Sequence, residues 1–170
     1  STYADQYDEA KIWTNEEYPA NFFRLKLVRK LLKESGAQSV YELGVGDATP
    51  LAAVGSDGIR VAGNDVSPEM VKYAKANMEH HGLDPEAIAF LDVQDAHAIA
   101  AERERAGEFD AVMALGVIPH VTDDRAFVAS MDTFLRPGGT MLLQFRNSMF
   151  SMFTFNRLTK EFILDEPLVD

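Results

Sequence analysis

The sequence predicts an α/β fold, a doubly wound and mostly parallel sheet with helices on both faces. Three observations predict it. Short apolar runs alternate with amphipathic runs along most of the chain, as repeated strand–helix units require. The first two apolar runs end in small and acidic residues, Gly44 to Asp47 and Asn64-Asp65, and such sheets carry their ligands just past the strand ends. Helix boundaries are punctuated as well: Ser67-Pro68-Glu69 offers an N-cap, a first-turn proline and a first-turn acid, and Gly82 offers a stop.

Taken in order, Ser1 to Tyr18 holds Tyr3, Tyr7 and Trp13 among charges and reads as a short helix or loop lying over another part of the molecule. Pro19 to Lys33 reads as a helix with Phe22, Phe23, Leu27, Leu31 and Leu32 on one face, closed by Gly36. Ser39 to Leu43 is the first strand, Gly44 to Asp47 a glycine turn, and Thr49 to Val54 a short helix. Ile59 to Gly63 is the second strand, ending at Asn64-Asp65, and the capped helix runs from there to about His81. Ile88 to Leu91 is the third strand, and Ile99 to Arg105 an exposed helix. Phe109 to Leu115 is the fourth strand, and Asp123 to Phe134 a helix. Arg136-Pro137-Gly138-Gly139 reads as a turn, and Thr140 to Phe145 as the fifth strand. The remainder, Asn147 to Asp170, is aromatic-rich.

A length of 170 residues suits one domain, and 46% hydrophobic with 25% charged residues suits a globular core in a soluble, cytoplasmic protein. The absence of cysteine excludes disulfides, a thiol nucleophile and a cysteine-ligated zinc. A net charge of −11 argues against a non-specific nucleic-acid partner, whose binding rests on Lys and Arg against phosphates. No apolar stretch reaches the roughly 18 residues of a membrane span. The histidines, His80-His81, His97 and His120, have no metal-ligand spacing, so no metal is expected.

The chemistry concentrates after the strands. Glu42-Leu43-Gly44-Val45-Gly46-Asp47-Ala48 alternates two glycines where the first strand turns into a helix, and glycine there admits close approach of a ligand to the backbone. Asp65 stands 19 residues after Gly46 at the end of the second strand, where a carboxylate can accept both ribose hydroxyls of an adenosine. With Ser67 as the helix cap, Asp65 is expected to be free for that duty. Asp95 after the third strand can accept an adenine amino group, against the plainer reading of a solvated loop acid. Gly116 after the fourth strand again admits close approach.

Five segments together resemble the class I S-adenosylmethionine-dependent methyltransferase family. VYELGVGDATP (40–50) resembles its glycine motif and GNDVSPEM (63–70) its ribose-binding segment. LDVQDAH (91–97), FDAVMALGVIPHV (109–121) and LRPGGTMLLQF (135–145) resemble its adenine-binding, fourth-strand and post-motif segments. The resemblance implies the Rossmann-like methyltransferase fold and S-adenosyl-L-methionine as cofactor, with S-adenosyl-L-homocysteine as product. It implies that Glu42, Gly44, Val45 and Gly46 surround the methionine part and that Asp65 holds the ribose. Val66 and Met70 would lie against the adenine, Asp95 and Ala96 at its edge, and Leu115 and Gly116 beneath the sulfonium. Tyr3 and Tyr7 would close the cofactor from the N-terminal side. Residues 1–35 would then be a helical cap over the cofactor site, 36–146 the cofactor-binding core, and 147–170 a lid or the start of further strands. The chain departs from the family at Ala48, where a third glycine is usual, and at Gln94, where glycine is frequent. The family usually adds two strands after the fifth. No candidate for either precedes Asp170, so the sequence reads as a fragment lacking them.

The reaction implied is O- or N-methylation of a small-molecule acceptor, such as a sugar or secondary metabolite. His120 is the best candidate for a general base, against a structural histidine of the loop. Met149 to Leu158 would be a lid, core packing or a homodimer surface, and Arg146 and Arg157 could hold an anionic acceptor or form surface ion pairs. Three rival functions are a non-catalytic cofactor-binding scaffold, an NAD-dependent oxidoreductase and a nucleic-acid methyltransferase. The second is opposed by the missing third glycine of a pyrophosphate loop, the third by the acidic charge and by the lack of a Pro-Pro-aromatic sequence in the fourth-strand motif.

Overall fold

A computed structural model describes residues 19–145. The N-terminal segment with Tyr3 and Tyr7, and the C-terminal one with Arg146, Arg157 and the Met149 to Leu158 run, lie outside the described residues. Ten elements alternate: α1 (Pro19–Ser35), β1 (Ser39–Leu43), α2 (Thr49–Ser56), β2 (Arg60–Asp65), α3 (Pro68–His80), β3 (Ile88–Phe90), α4 (Ala96–Ala106), β4 (Phe109–Leu115), α5 (Asp124–Phe134) and β5 (Leu135–Gln144). Single 3-10 turns precede β3 and follow β4.

The five strands form one sheet in the order β3-β2-β1-β4-β5, every neighbour parallel. The chain builds β1, β2 and β3 outward in one direction, then crosses back to place β4 on the other side of β1. The strand order therefore reverses between β1 and β4, and the crevice of such a sheet opens at that point. All five residues of β1 are buried, as a central strand covered on both faces must be. Its side chains divide between two cores. Val40 joins Val28, Leu32, Leu51, Val71 and Met78 of α1, α2 and α3. Tyr41 and Leu43 join Ile99, Phe127, Met131 and Phe134 of α4 and α5, with Tyr41 stacked on Phe134 at 4.0 Å between ring centroids.

Two sequence expectations are corrected. Helix α1 does not bury the Phe22–Leu32 face as read. It buries Leu25, Val28 and Leu32, and leaves Phe23, Leu27 and Leu31 exposed. Both stripes are apolar at helical spacing, and a helix laid on a sheet can bury one of them. The Arg136–Gly139 segment is not a turn before the fifth strand but an excursion within it. Leu135, directly after α5, already pairs with Phe109, and Thr140 resumes the ladder opposite Ala111. The four residues between them stand against Asp110 alone, which Arg136 meets at 2.5 Å. Among the described residues no helix is long and apolar enough to cross a membrane.

Candidate functional site

A cavity of about 1130 Å³ opens at the carboxyl ends of β1, β2 and β4. Its floor is the turn after β1. Gly44 and Gly46 take positive φ of 71° and 56°, which glycine adopts without a Cβ penalty. Gly44 has a second reason to be glycine: a Cβ there would stand 2.5 Å from Val117, which the loop after β4 packs against the turn. Ala48, the departure noted in the sequence, also adopts the left-handed conformation, at φ 59°, and is fully buried. Such a backbone costs a non-glycine residue about 1 kcal/mol or more, so the turn keeps the glycine geometry despite the alanine.

The neighbouring strand holds this turn. The backbone N–H groups of Gly44 and Val45 both donate to the carbonyl of Asn64, each at 2.9 Å. The N–H of Gly46 donates to Asp65 Oδ2 and that of Ser67 to Asp65 Oδ1, both at 2.9 Å. Asp65 is therefore not free, as the sequence suggested, because Ser67 caps α3 with its hydroxyl while its own backbone N–H still needs an acceptor. A carboxylate offers about four lone-pair sites, so two remain for a ligand. From α3, Asn77 Nδ2 donates to the carbonyl of Asp47 at 3.0 Å and fixes the far end of the turn.

Glu42, the penultimate residue of β1, is 1% exposed, and its Oε2 has no hydrogen-bond partner among the described residues. Burial raises its carboxyl well above the ordinary range; the Arg24 guanidinium opposes this, while Asp47 and Asp65 add to it. Glu42, Asp47 and Asp65 all line the cavity, against Arg24 as the sole arginine or lysine among the described residues, so the described wall favours a cationic ligand.

Of the residues singled out from the sequence, Glu42, Gly44, Val45, Gly46, Asp65, Val66, Met70, Leu115, Gly116 and His120 come together around this cavity. His120 is exposed and ends the one-turn helix after β4. Asp95 and Ala96 do not line it. Asp95 Oδ1 instead accepts the N–H groups of His97 and Ala98 at 2.9 and 3.1 Å and caps α4, which is why that helix begins three residues before the expected Ile99. Among the described residues no group of three His, Asp or Glu side chains is placed to hold a metal ion.

Sequence reasoning missed several wall residues. Tyr73, Asn77 and His80 follow Met70 at spacings of three, four and three along α3 and face the cavity together. That helical periodicity was available as a signal. Arg24 of α1, whose Nη1 donates to Gln144 Oε1 of β5 at 3.2 Å across 120 residues, had none.

Comparison with known proteins agrees with this architecture. The family profile described as "Methyltransferase domain" matches residues 41–143. A ubiquinone biosynthesis O-methyltransferase of Xanthomonas axonopodis pv. citri is 31% identical over 143 residues, covering 84% of this chain and 57% of that protein. The chain thus spans a little over half the length of the curated relatives it matches. Among solved structures, the sugar N-methyltransferase KedS8 from Streptoalloteichus superposes with a TM-score of 0.60 at 23% identity, covering 84% of this chain and 53% of that one. A Geobacter sulfurreducens methyltransferase in complex with S-adenosyl-L-homocysteine gives 0.53 at 20% identity, covering 70% and 46%. These two likenesses concern the fold. With the profile match over more than half its length and the parallel five-stranded sheet, the chain belongs to the methyltransferase-domain family, in its class I, Rossmann-like form.

Proposed function

We propose that this chain binds S-adenosyl-L-methionine in the cavity at the β1/β4 switch point and serves methyl transfer to a small-molecule acceptor. One observation carries the reading: a glycine-floored, acid-lined cleft in which one oxygen of a buried carboxyl, Glu42 Oε2, has no hydrogen-bond partner among the described residues. A cation with hydrogen-bond donors is what such a wall lacks. S-adenosyl-L-methionine supplies a methyl group already activated by its positive sulfur.

The residues fit it in order along the sheet edge. Asp65 offers its two remaining lone-pair sites to the ribose hydroxyls. Val66 and Met70 give apolar flanks to the base, and Glu42 with the backbone of Gly44 and Gly46 receives the amino-acid end. Leu115 and Gly116 form the surface below the reacting centre, where the missing Cβ of Gly116 leaves room. His120, at the rim after β4, takes the proton of a hydroxyl acceptor. The chain's main contribution is alignment, since holding reactants in an in-line geometry removes much of the entropic barrier. A hydroxyl or amine of a small molecule is the acceptor class, consistent with the O- and N-methyltransferases among its relatives.

Titration calorimetry with S-adenosyl-L-homocysteine tests the reading. The parent protein should bind one equivalent, and NADH should not bind. Asp65→Ala should weaken binding by about tenfold or more, since hydrogen bonds to a charged group are each worth about 1.5–3 kcal/mol. Absence of binding by the parent protein would overturn the proposal.

A further inference from the structure

We propose that Gln94 is a positioning residue for methyl transfer, its side-chain oxygen holding the loop that carries His120 at the acceptor side of the cavity. This rests on the S-adenosyl-L-methionine reading above and adds to it a residue that acts through another rather than on the ligand.

Gln94 stands where glycine is frequent in the family, and its side chain makes contacts that a glycine cannot. Its Oε1 accepts the backbone N–H of Thr122 at 3.2 Å and also the Thr122 hydroxyl. Two loops are joined across 28 residues, the one after β3 and the one after β4. The anchor is itself fixed. The N–H of Gln94 donates to Asp92 Oδ1 at 2.9 Å, and the carbonyl of the preceding Val93 accepts the Ser130 hydroxyl of α5 at 2.9 Å. Gln94 does not line the cavity, so contact with the ligand gives no reason for it.

The loop it holds bears directly on the site. Val117 sits over Gly44 at its start, and Asp123 caps α5 at its end. Between them, Pro119 and His120 line the cavity. The backbone N–H groups of His120 and Val121 donate within the loop, to the carbonyls of Val117 and Ile118. Among the described residues, the hydrogen bonds that tie residues 118–122 to another part of the chain are those to Gln94. Ile118 and Val121 also pack on the core formed with α4 and α5. Apolar packing seats the loop without fixing its direction, whereas a hydrogen bond fixes both distance and angle. His120 is exposed, so its place depends on the backbone that carries it, and Thr122 is two residues away.

The test is nuclear magnetic resonance of the whole chain, carbon-labelled at the histidine Cε1 positions and titrated with S-adenosyl-L-homocysteine. The chain has four histidines, and His120→Ala assigns the resonance that matters. In the parent protein that resonance should shift on binding. Gln94→Met keeps the length of the side chain and removes the acceptor. It should lose about half of the shift or more, since one hydrogen bond biases a loop by roughly two- to tenfold. Gln94→Gly should do the same. Gln94→Glu, which returns an acceptor at the same reach, should restore the shift, and affinity for the compound should be unchanged across the series. A full shift in Gln94→Met, or no recovery in Gln94→Glu, overturns the assignment. So does a parent protein that binds the compound with no shift at His120. A parent protein that does not bind it overturns the underlying reading instead.

Discussion

Glu42 concentrates the conflict between folding and binding in one side chain. Its carboxyl is raised by burial, so between the ordinary carboxylate range and its raised value the native state holds a proton that the unfolded chain has released. Stability must therefore fall as pH rises through that window. Glu42→Gln removes the titration. Urea unfolding at a series of pH values should show the variant losing less stability than the parent from acid to neutral pH, and ending more stable at neutral pH. The same variant should bind S-adenosyl-L-homocysteine more weakly. His120 is the opposite kind of residue, exposed and outside the core. His120→Ala should leave that affinity and the unfolding midpoint unchanged while slowing transfer to a hydroxyl acceptor by about 100-fold, the lower range for loss of a general base. A drop in affinity equal to the drop in rate would remove the base assignment. Glu42, the glycines and Asp65 were legible because each stands at or just past the carboxyl end of a strand. Arg24 was not, because its partner Gln144 lies 120 residues away.

Among the elements, β2 shows how a strand can be shaped for a neighbour's turn. A Cβ on Gly63 would stand 2.4 Å from Val45 and 2.6 Å from the carbonyl oxygen of Glu42. The second is backbone and cannot swing away. Gly63→Ala should therefore destabilise the protein by about 3 kcal/mol, the upper end for overpacking, read as a shifted denaturation midpoint with an unchanged slope. It should also displace the glycine turn that Asn64 and Asp65 hold. The boundaries of β1 and β4 and the cap of α3 agree with the sequence expectation, since apolar runs and Ser-Pro starts are local signals. The buried face of α1 and the excursion in β5 were misread because both depend on partners distant in sequence. Two apolar stripes of α1 compete for one sheet, and Arg136 finds Asp110 only after the strands have paired.

For the whole molecule, the ligand should act as part of the fold, since the turn and three strand ends meet only around the cavity. At 100 times its dissociation constant, a ligand specific to the native state adds about 2.7 kcal/mol. For a domain of this size that corresponds to a rise of roughly 5–10 °C in the unfolding midpoint. Differential scanning fluorimetry with S-adenosyl-L-homocysteine should show that rise, and NADH should show none. The doubly wound class was legible from the alternation of runs, whereas the strand order required the crossover from β3 to β4 to be seen. The excursion between Leu135 and Thr140 lies near the start of β5, while the cavity opens at the far ends of the strands. Pro137, at its exposed crest, can thus be exchanged without touching either ladder segment. Because the chain has no cysteine, a Pro137→Cys variant would carry a unique thiol. A fluorophore attached there could follow rotational diffusion and self-association during ligand titrations while standing clear of the chemistry being measured.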